Sequence, residues 1–345
     1  MGTLSDVAKE AGVSISTASR AFASPGLVNA QTRDRVQQAA ARVGYTPPRV
    51  ARSLQAGWTS KFGLIVPDIA NPFFPPVIKT IQARARQRGH AVVLADSDEH
   101  PADEIELAAM MAKEVDGLLM VSPRGPKDQL EEIRRIVPTV FVNRHVPQAP
   151  AVLIDTAEGM QHAVQLLHAL GHRHIAYLAG PRTSWANTQR REAVEGECGR
   201  LGVEFAQFGP FEPNLQSGIG AADMVAGSTA TGVIAYDDMI ALGVLTRLAE
   251  RGLQPGRDIS VIGVDDSPMA ALAHPALTTV RVPGAQAGTA AVDLLCDVVA
   301  RSASTQVIRL DTTLVVRGST GPAPAHVSPT TGDRGQERRV KPVSR

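Results

Sequence analysis

The chain has 345 residues, of which 43% are hydrophobic and 20% charged, with a formal net charge of +1. That length suits two or three compact units, and the apolar content excludes disorder throughout. The charge is uneven: residues 1–57 carry seven basic side chains (Lys9, Arg20, Arg33, Arg35, Arg42, Arg49, Arg52) against three acidic ones (Asp6, Glu10, Asp34), a net of +4. A basic N-terminal unit on a near-neutral body fits a phosphate-facing module carried by a sensor.

Residues 3–44 read as three short helices. Leu4, Val7, Ala8 and Ala11 recur at helical spacing and Gly12 closes the first helix. Ser14 suits an N-cap of the second, whose inner face is Ala18, Ala21 and Phe22. Asn29 caps a third with an inner stripe of Val36, Ala39, Ala40 and Val43, ended by Gly44. A short Gly-containing turn between the first two helices is the helix-turn-helix signature; a generic three-helix bundle is the plainer alternative. Residues 47–60 form a connector, opened by Pro47-Pro48, in which residues 49–56 are too short to be a stable helix alone in water.

From residue 61 the pattern changes. Apolar runs at 62–66, 91–95, 117–121, 139–142 and 152–154, then at 175–179, 232–235 and 259–264, alternate with helical segments. That predicts two parallel sheets covered by helices, hence two α/β subdomains over residues 61–320, with crossovers near 156 and 281. Residues 321–345 are rich in Pro, Ser, Thr and charge and are expected to be disordered.

The sequence argues against several chemistries. Cys198 and Cys296 are too few for a disulfide framework or a zinc site, no secretory signal or run of about 18 apolar residues is evident, and the expected compartment is the cytoplasm. Gly218-Ile219-Gly220 lacks the third glycine of a dinucleotide loop and no phosphate loop is present. His168, His172 and His174 have no completing ligands, and the adjacent pairs Asp237-Asp238 and Asp265-Asp266 point apart instead of forming an acid/base dyad. No enzyme, metal or cofactor is expected. The other classes weighed are an exported ligand carrier, which needs a signal, and a sugar-processing enzyme, which needs a nucleophile–base set.

Residues 3–20 (TLSDVAKEAGVSISTASR), 28–33 (VNAQTR) and 44–47 (GYTP) resemble the headpiece of the lactose-repressor/galactose-repressor (LacI/GalR) family, and Ala51-Arg52-Ser53-Leu54 resembles its hinge helix. Further matches run through the body, among them 63–67 (GLIVP), 71–74 (NPFF), 170–176 (LGHRHIA), 262–266 (IGVDD) and 277–280 (LTTV). The resemblance implies a DNA-binding transcriptional regulator, a repressor, whose headpiece (residues 1–46) and hinge (47–60) precede a periplasmic-binding-protein-like core that closes around a small effector. It also implies a homodimer on double-stranded, pseudo-palindromic operator DNA; a proline-bearing tail with no leucine heptad argues against a coiled-coil tetramer.

In a helix-turn-helix the second helix enters the major groove, so Ile15, Ser16 and Arg20 are the expected base readers. Thr3, Ser14, Thr17, Ser19 and Asn29 carry short polar groups suited to phosphates, though capping serves Ser14 equally well. The resemblance makes Leu54 a minor-groove wedge flanked by Arg49 and Arg52 near phosphates, in a segment expected to order on DNA. For the effector, the rule that ligands sit at the carboxyl ends of strands points to the segments after each apolar run, where the candidates are Asn71, Phe73, Phe74, Asn143, Ser184, Trp185, Arg190, Tyr236 and Asp265; the resemblance implies that Arg190 and Asp265 are the foremost contacts, followed by Ser184, Asn143 and Phe73. Aromatic faces, a guanidinium and a carboxylate suit a polyhydroxylated ligand, a carbohydrate. Core is the lesser alternative for Phe74, and Asp237 and Asp266 could only cap the helices that follow them. Tyr236 and Val282 depart from the Asn and Gln common in the family, which leaves the sugar unnamed. Phe211 and Glu212 are weaker candidates for the cleft wall.

Overall fold

A computed structural model describes residues 2–23, 27–45, 59–301 and 304–324. The hinge segment with Arg49, Arg52 and Leu54 lies outside the described residues.

Helices α1 (Leu4–Ala11), α2 (Ile15–Ala23) and α3 (Ala30–Val43) form the N-terminal unit. Each begins on a residue that satisfies otherwise orphaned backbone donors. Thr3 and Asp6 make a reciprocal capping box on α1, Ser14 Oγ accepts from Thr17 N–H at 3.1 Å, and Asn29 Oδ1 accepts from Thr32 N–H at 2.8 Å. The apolar stripes meet in a small core of Val7, Ala8, Ala11, Ala18, Ala21, Val36, Ala39 and Ala40, closed by Phe22 tilted against Tyr45.

The first lobe of the body runs β1 (Lys61–Val66), α4 (Phe74–Gln87), β2 (Ala91–Asp96), α5 (Pro101–Met111), β3 (Gly117–Val121), α6 (Lys127–Ile136), β4 (Thr139–Val142) and β5 (Ala151–Asp155). The second runs α7 (Ala157–Ala169), β6 (His174–Leu178), α8 (Trp185–Leu201), β7 (Glu204–Phe208), α9 (Leu215–Ala226), β8 (Gly232–Ala235), α10 (Asp238–Glu250), β9 (Ser260–Asp265), α11 (Pro268–Leu272) and β10 (Thr278–Arg281). The chain then returns through α12 (Gly284–Arg301) and β11 (Val307–Asp311) to the first sheet, and β12 (Thr313–Val315) joins the second.

Among the described residues the strands form two six-stranded sheets, in the orders β11-β5-β4-β3-β1-β2 and β12-β10-β9-β8-β6-β7, parallel except for β12 against β10. The central strands are buried on both faces, which is why β3 and β4 read as unbroken apolar runs. Sequence periodicity missed β7, β10, β11 and β12; β7 and β11 are half-exposed edge strands with polar residues on one face, and the other two are very short. It also missed a third crossing, at Thr312. The crossing segments pass so close that a Cβ on Gly159, in the first turn of α7, would lie 2.5 Å from Val280 Cγ1 and 2.6 Å from Thr312 Oγ1. Gly159 is therefore the residue that lets the lobes share a waist.

The expected tail disorder is corrected at its start. Gly321 C=O accepts from His172 Nε2 and from Ser260 Oγ, both at 3.1 Å, and Ala323 N–H donates to Leu170 C=O at 2.8 Å. Residues 325–345 lie outside the described residues. Among the described residues no helix is long and apolar enough to cross a membrane.

Candidate functional site

On α2 the inner positions Ala18 and Ala21 are buried while Ile15, Ser16 and Arg20 are exposed. Ile15 is 54% exposed, an apolar side chain presented to solvent on a polar face. Ser14 Oγ lies 2.9 Å from Ser16 Oγ and 2.8 Å from Thr17 Oγ1, so three hydroxyls cluster at the helix N-terminus, where backbone N–H groups favour a phosphate oxygen. Thr3 and Asn29 are occupied as caps, which leaves their side chains less free for DNA than Ser16 or Arg20. Ser19 is half-buried.

The body's cleft lies between the lobes, at the carboxyl ends of the strands. An inner cavity of about 20 Å³ is lined by Asn71, Phe73, Phe74, Asn143, Arg190, Tyr236 and Asp265, together with Ser122, Arg124, Pro213 and Asp237. Seven of the nine expected effector residues thus converge on one place. Ser184 stands behind Tyr236, its Oγ 3.0 Å from the Tyr236 hydroxyl, while it caps α8 through Asn187 N–H. Trp185 packs against the core of the first lobe from the second and does not line the inner cavity. Outside lies a vestibule of about 620 Å³ that includes Asp68, Asp98, Glu99, Arg182, Phe211 and Glu212.

The chemistry of the inner cavity is dense. Arg190 donates to Tyr236 C=O at 2.5 Å, its guanidinium lies 4.9 Å from the Tyr236 ring centroid, and Nη2 stands 3.7 Å from Asp265 Oδ1. Asn71 Nδ2 donates across the cleft to Asp237 Oδ2 at 3.2 Å. Burial pushes Asp237 up to about 6, against the pull of Ile240 N–H, Arg190 and Asn71, and burial drives Asp265 well above the usual carboxylate range. Asn143 Oδ1 and Arg190 Nε are buried with no hydrogen-bond partner among the described residues. Ser122, Asn143 and Asp265 hold their backbones at φ 49°, 55° and 115°. Such strain at non-glycine residues collects at binding sites. Phe74 is both core and cavity wall. Asp237 caps α10 and also faces the cavity. Asp266 caps nothing; its carboxylate is held by Arg281 and Arg317.

Sequence reasoning missed Arg124, Ser122 and Glu99. Arg124 is 4% exposed, and its Nε and Nη2 grip Glu99 at 2.6 and 2.8 Å. The strand-end rule that found Asn71 and Asn143 applies equally after β2 and β3, where these residues lie.

Comparison with known proteins agrees with this arrangement. Residues 3–48 match the model of bacterial regulatory proteins of the lacI family, and residues 164–320 match a periplasmic binding protein-like domain. The chain is 32% identical over 333 residues to the HTH-type transcriptional repressor CytR of Escherichia coli (strain K12), covering 93% of this chain and 97% of that one. It is also 32% identical over 329 residues to the ribose operon repressor of Bacillus subtilis, covering 93% and 99%. In structure it is similar to the lac repressor dimer bound to operator and the anti-inducer ONPF, with TM-score 0.77, 27% identity, and coverage of 93% and 99%. The chain belongs to the LacI family of bacterial regulatory proteins. It is a transcriptional regulator with a DNA-binding helix-turn-helix and a periplasmic-binding-protein-like core.

Proposed function

We propose that this regulator is a cytoplasmic repressor without enzymatic activity. It binds a pseudo-palindromic operator as a homodimer and is controlled by a sugar or sugar derivative held in the cleft between its lobes. The observation that carries the reading is the union, in one chain, of an exposed Ile15–Ser16–Arg20 face on a recognition helix with an interlobe cavity whose polar groups exceed their protein partners. Ile15 offers apolar contact to a thymine methyl, Ser16 a hydroxyl, and Arg20 a two-pronged bond to guanine. Ser14 and Thr17, with Thr3, Ser19 and Asn29 beside them, position the helix on phosphates. In the cleft, Arg190 and Asp265 supply charge-assisted bonds to neighbouring hydroxyls, Asn143 and Asn71 supply amide contacts, and Phe73 packs on the apolar ring face.

The cavity of about 20 Å³ holds roughly one water, whereas small-ligand sites run to about 300–1,000 Å³. The cleft therefore has to open to admit an effector, and that lobe movement is the signal passed to the headpieces. The relatives named for the ribose operon and for the lac operator fit a sugar-controlled repressor. The test is a gel-shift assay with palindromes from the DNA upstream of the protein's own gene, repeated with a carbohydrate panel. A retarded palindrome released by one panel member is the expected result; absence of any specific shift overturns the reading.

A further inference from the structure

Arg124 and Glu99 form the partition between the two cavities. Arg124 lines the inner cavity and Glu99 the vestibule, and the two are joined by a two-pronged ion pair. The partners are unequal. The Arg124 side chain is 3% exposed and its guanidinium also donates to Ser122 C=O, while its backbone N–H is bound by Glu104. The Glu99 side chain is 24% exposed and springs from a loop where Asp98 and Glu99 both hold positive φ, 48° and 59°. Glu99 is the half of the pair that can leave, and it leaves towards solvent.

Its departure would strand a buried guanidinium, which proteins do not tolerate without a replacement anion. The other carboxylates nearby are poor replacements. Glu104 is committed to the backbone N–H groups of Arg124 and Gly125, and Asp237 to Asn71 and the start of α10. Asp265 faces Arg190 on the opposite lobe.

We infer that the effector carries an anionic group, a carboxylate or a phosphate on a polyhydroxylated body, and that this group replaces Glu99 on Arg124. Glu99 is thus the resident stand-in for the effector's anion, and Arg124 is the specificity-determining residue of the first lobe. This rests on the effector site proposed above. A neutral sugar leaves the pair intact and gains nothing from Arg124.

The experiment uses the full-length protein and matched pairs of probes: glucose with glucose 6-phosphate, ribose with ribose 5-phosphate, and glucose with glucuronate. Calorimetry reads affinity for each, and inorganic phosphate alone is titrated in a thermal-shift assay as a probe independent of the sugar. Glu99→Gln removes the competing charge. It is expected to tighten an acidic probe about tenfold or more, the scale of one charge-assisted bond, and to make the protein stabilised by phosphate where the original is not. Glu99→Gln with Arg124→Gln should lose both gains, because it has neither the guanidinium nor its competitor. If Glu99→Gln alone fails to fold, the matched pairs on the original protein decide: an acidic probe that binds no tighter than its neutral partner overturns the inference. The phosphate and carboxylate arms separate the two anion sources. A neutral sugar whose affinity Glu99→Gln leaves unchanged overturns the inference, whatever phosphate does. So does a silent panel together with no added phosphate response in Glu99→Gln. Operator binding by the ligand-free protein is measured in parallel: if it is present while the effector proves neutral, only this inference fails, and if it is absent, the regulatory reading fails first.

Discussion

The ring of Tyr236 lies against the backbone of Gly180. A Cβ built on Gly180 would come within 2.4 Å of Tyr236 Cγ and within 2.5 and 2.6 Å of its two Cδ atoms. With Ser184 on its hydroxyl and Arg190 over the ring, Tyr236 is fixed from three sides inside the cleft. Gly180→Ala should therefore cost about 1–3 kcal/mol, the usual range for overpacking, and weaken the effector response by displacing Tyr236. In a Tyr236→Asn background, where the ring is gone, the same substitution should be nearly neutral. Urea denaturation of the four proteins measures the coupling. Additive effects would show that the contact carries no strain.

Arg190 Nη2 and Asp265 Oδ1 stand 3.7 Å apart on the wall of the inner cavity, and Arg190 Nε has no hydrogen-bond partner among the described residues. Replacing either with Ala should abolish the effector response and keep operator binding, because each charge-assisted bond to a ligand is worth about 1.5–3 kcal/mol. Effector titrations of operator release check this. A variant that responds at the original effector concentration places the binding site elsewhere.

His172 is fully buried, and its contacts fix its tautomer. Gly321 C=O can only accept, so Nε2 carries the proton, and Nδ1 accepts from the Thr231 hydroxyl at 2.9 Å. Burial holds the imidazole below its ordinary value of 6.5, with the neighbouring Arg173 charge adding to the effect and the Gly321 carbonyl opposing it. The sign follows from linkage: the unfolded chain takes up a proton near pH 6.5 and the folded protein only at lower pH. Stability is thus fully present above 6.5 and declines as pH falls from 6.5 towards the folded value, by up to about 1.4 kcal/mol per pH unit. Denaturation midpoints of the original protein and His172→Asn between pH 8 and 5.5 should diverge below 6.5. Parallel curves would mean that His172 titrates alike in both states.

Leu54 lies in the segment that resembles the family's hinge helix. Leu54→Ala removes an apolar wedge and no charge, so it should weaken specific operator binding strongly while the salt slope, which counts phosphate contacts, changes little. Arg20→Ala, on the exposed face of α2, should instead cost about 1–3 kcal/mol and relax preference at one base pair. Salt titrations on operators varied at single positions separate the two. A Leu54 variant that binds normally, or that loses slope with affinity, would rule out the wedge.

What the sequence determined by itself is local. The caps Ser14 and Asn29, the Gly12 and Gly44 stops and the 3.6-residue stripes define the headpiece, because each acts within four residues along the chain. Doubly buried strands such as β3 and β4 are equally legible, because burial on both faces demands apolar residues without a break. The strand-end rule then named Asn143, Arg190, Tyr236 and Asp265. The tertiary structure decided what depends on distant residues meeting. β11 is a half-exposed edge strand and β12 is only three residues long, so neither carries an apolar pattern; each is defined by pairing with a distant strand, β11 with β5 and β12 with β10. The pairing of Arg124 with Glu99 joins residues 25 positions apart, and only the pairing of β1 with β2 on one side and β3 on the other brings their loops to the same wall. The same holds for Tyr236: its type is written in the sequence, but its place against Gly180, which closes the cleft, is set by the pairing of β6 with β8.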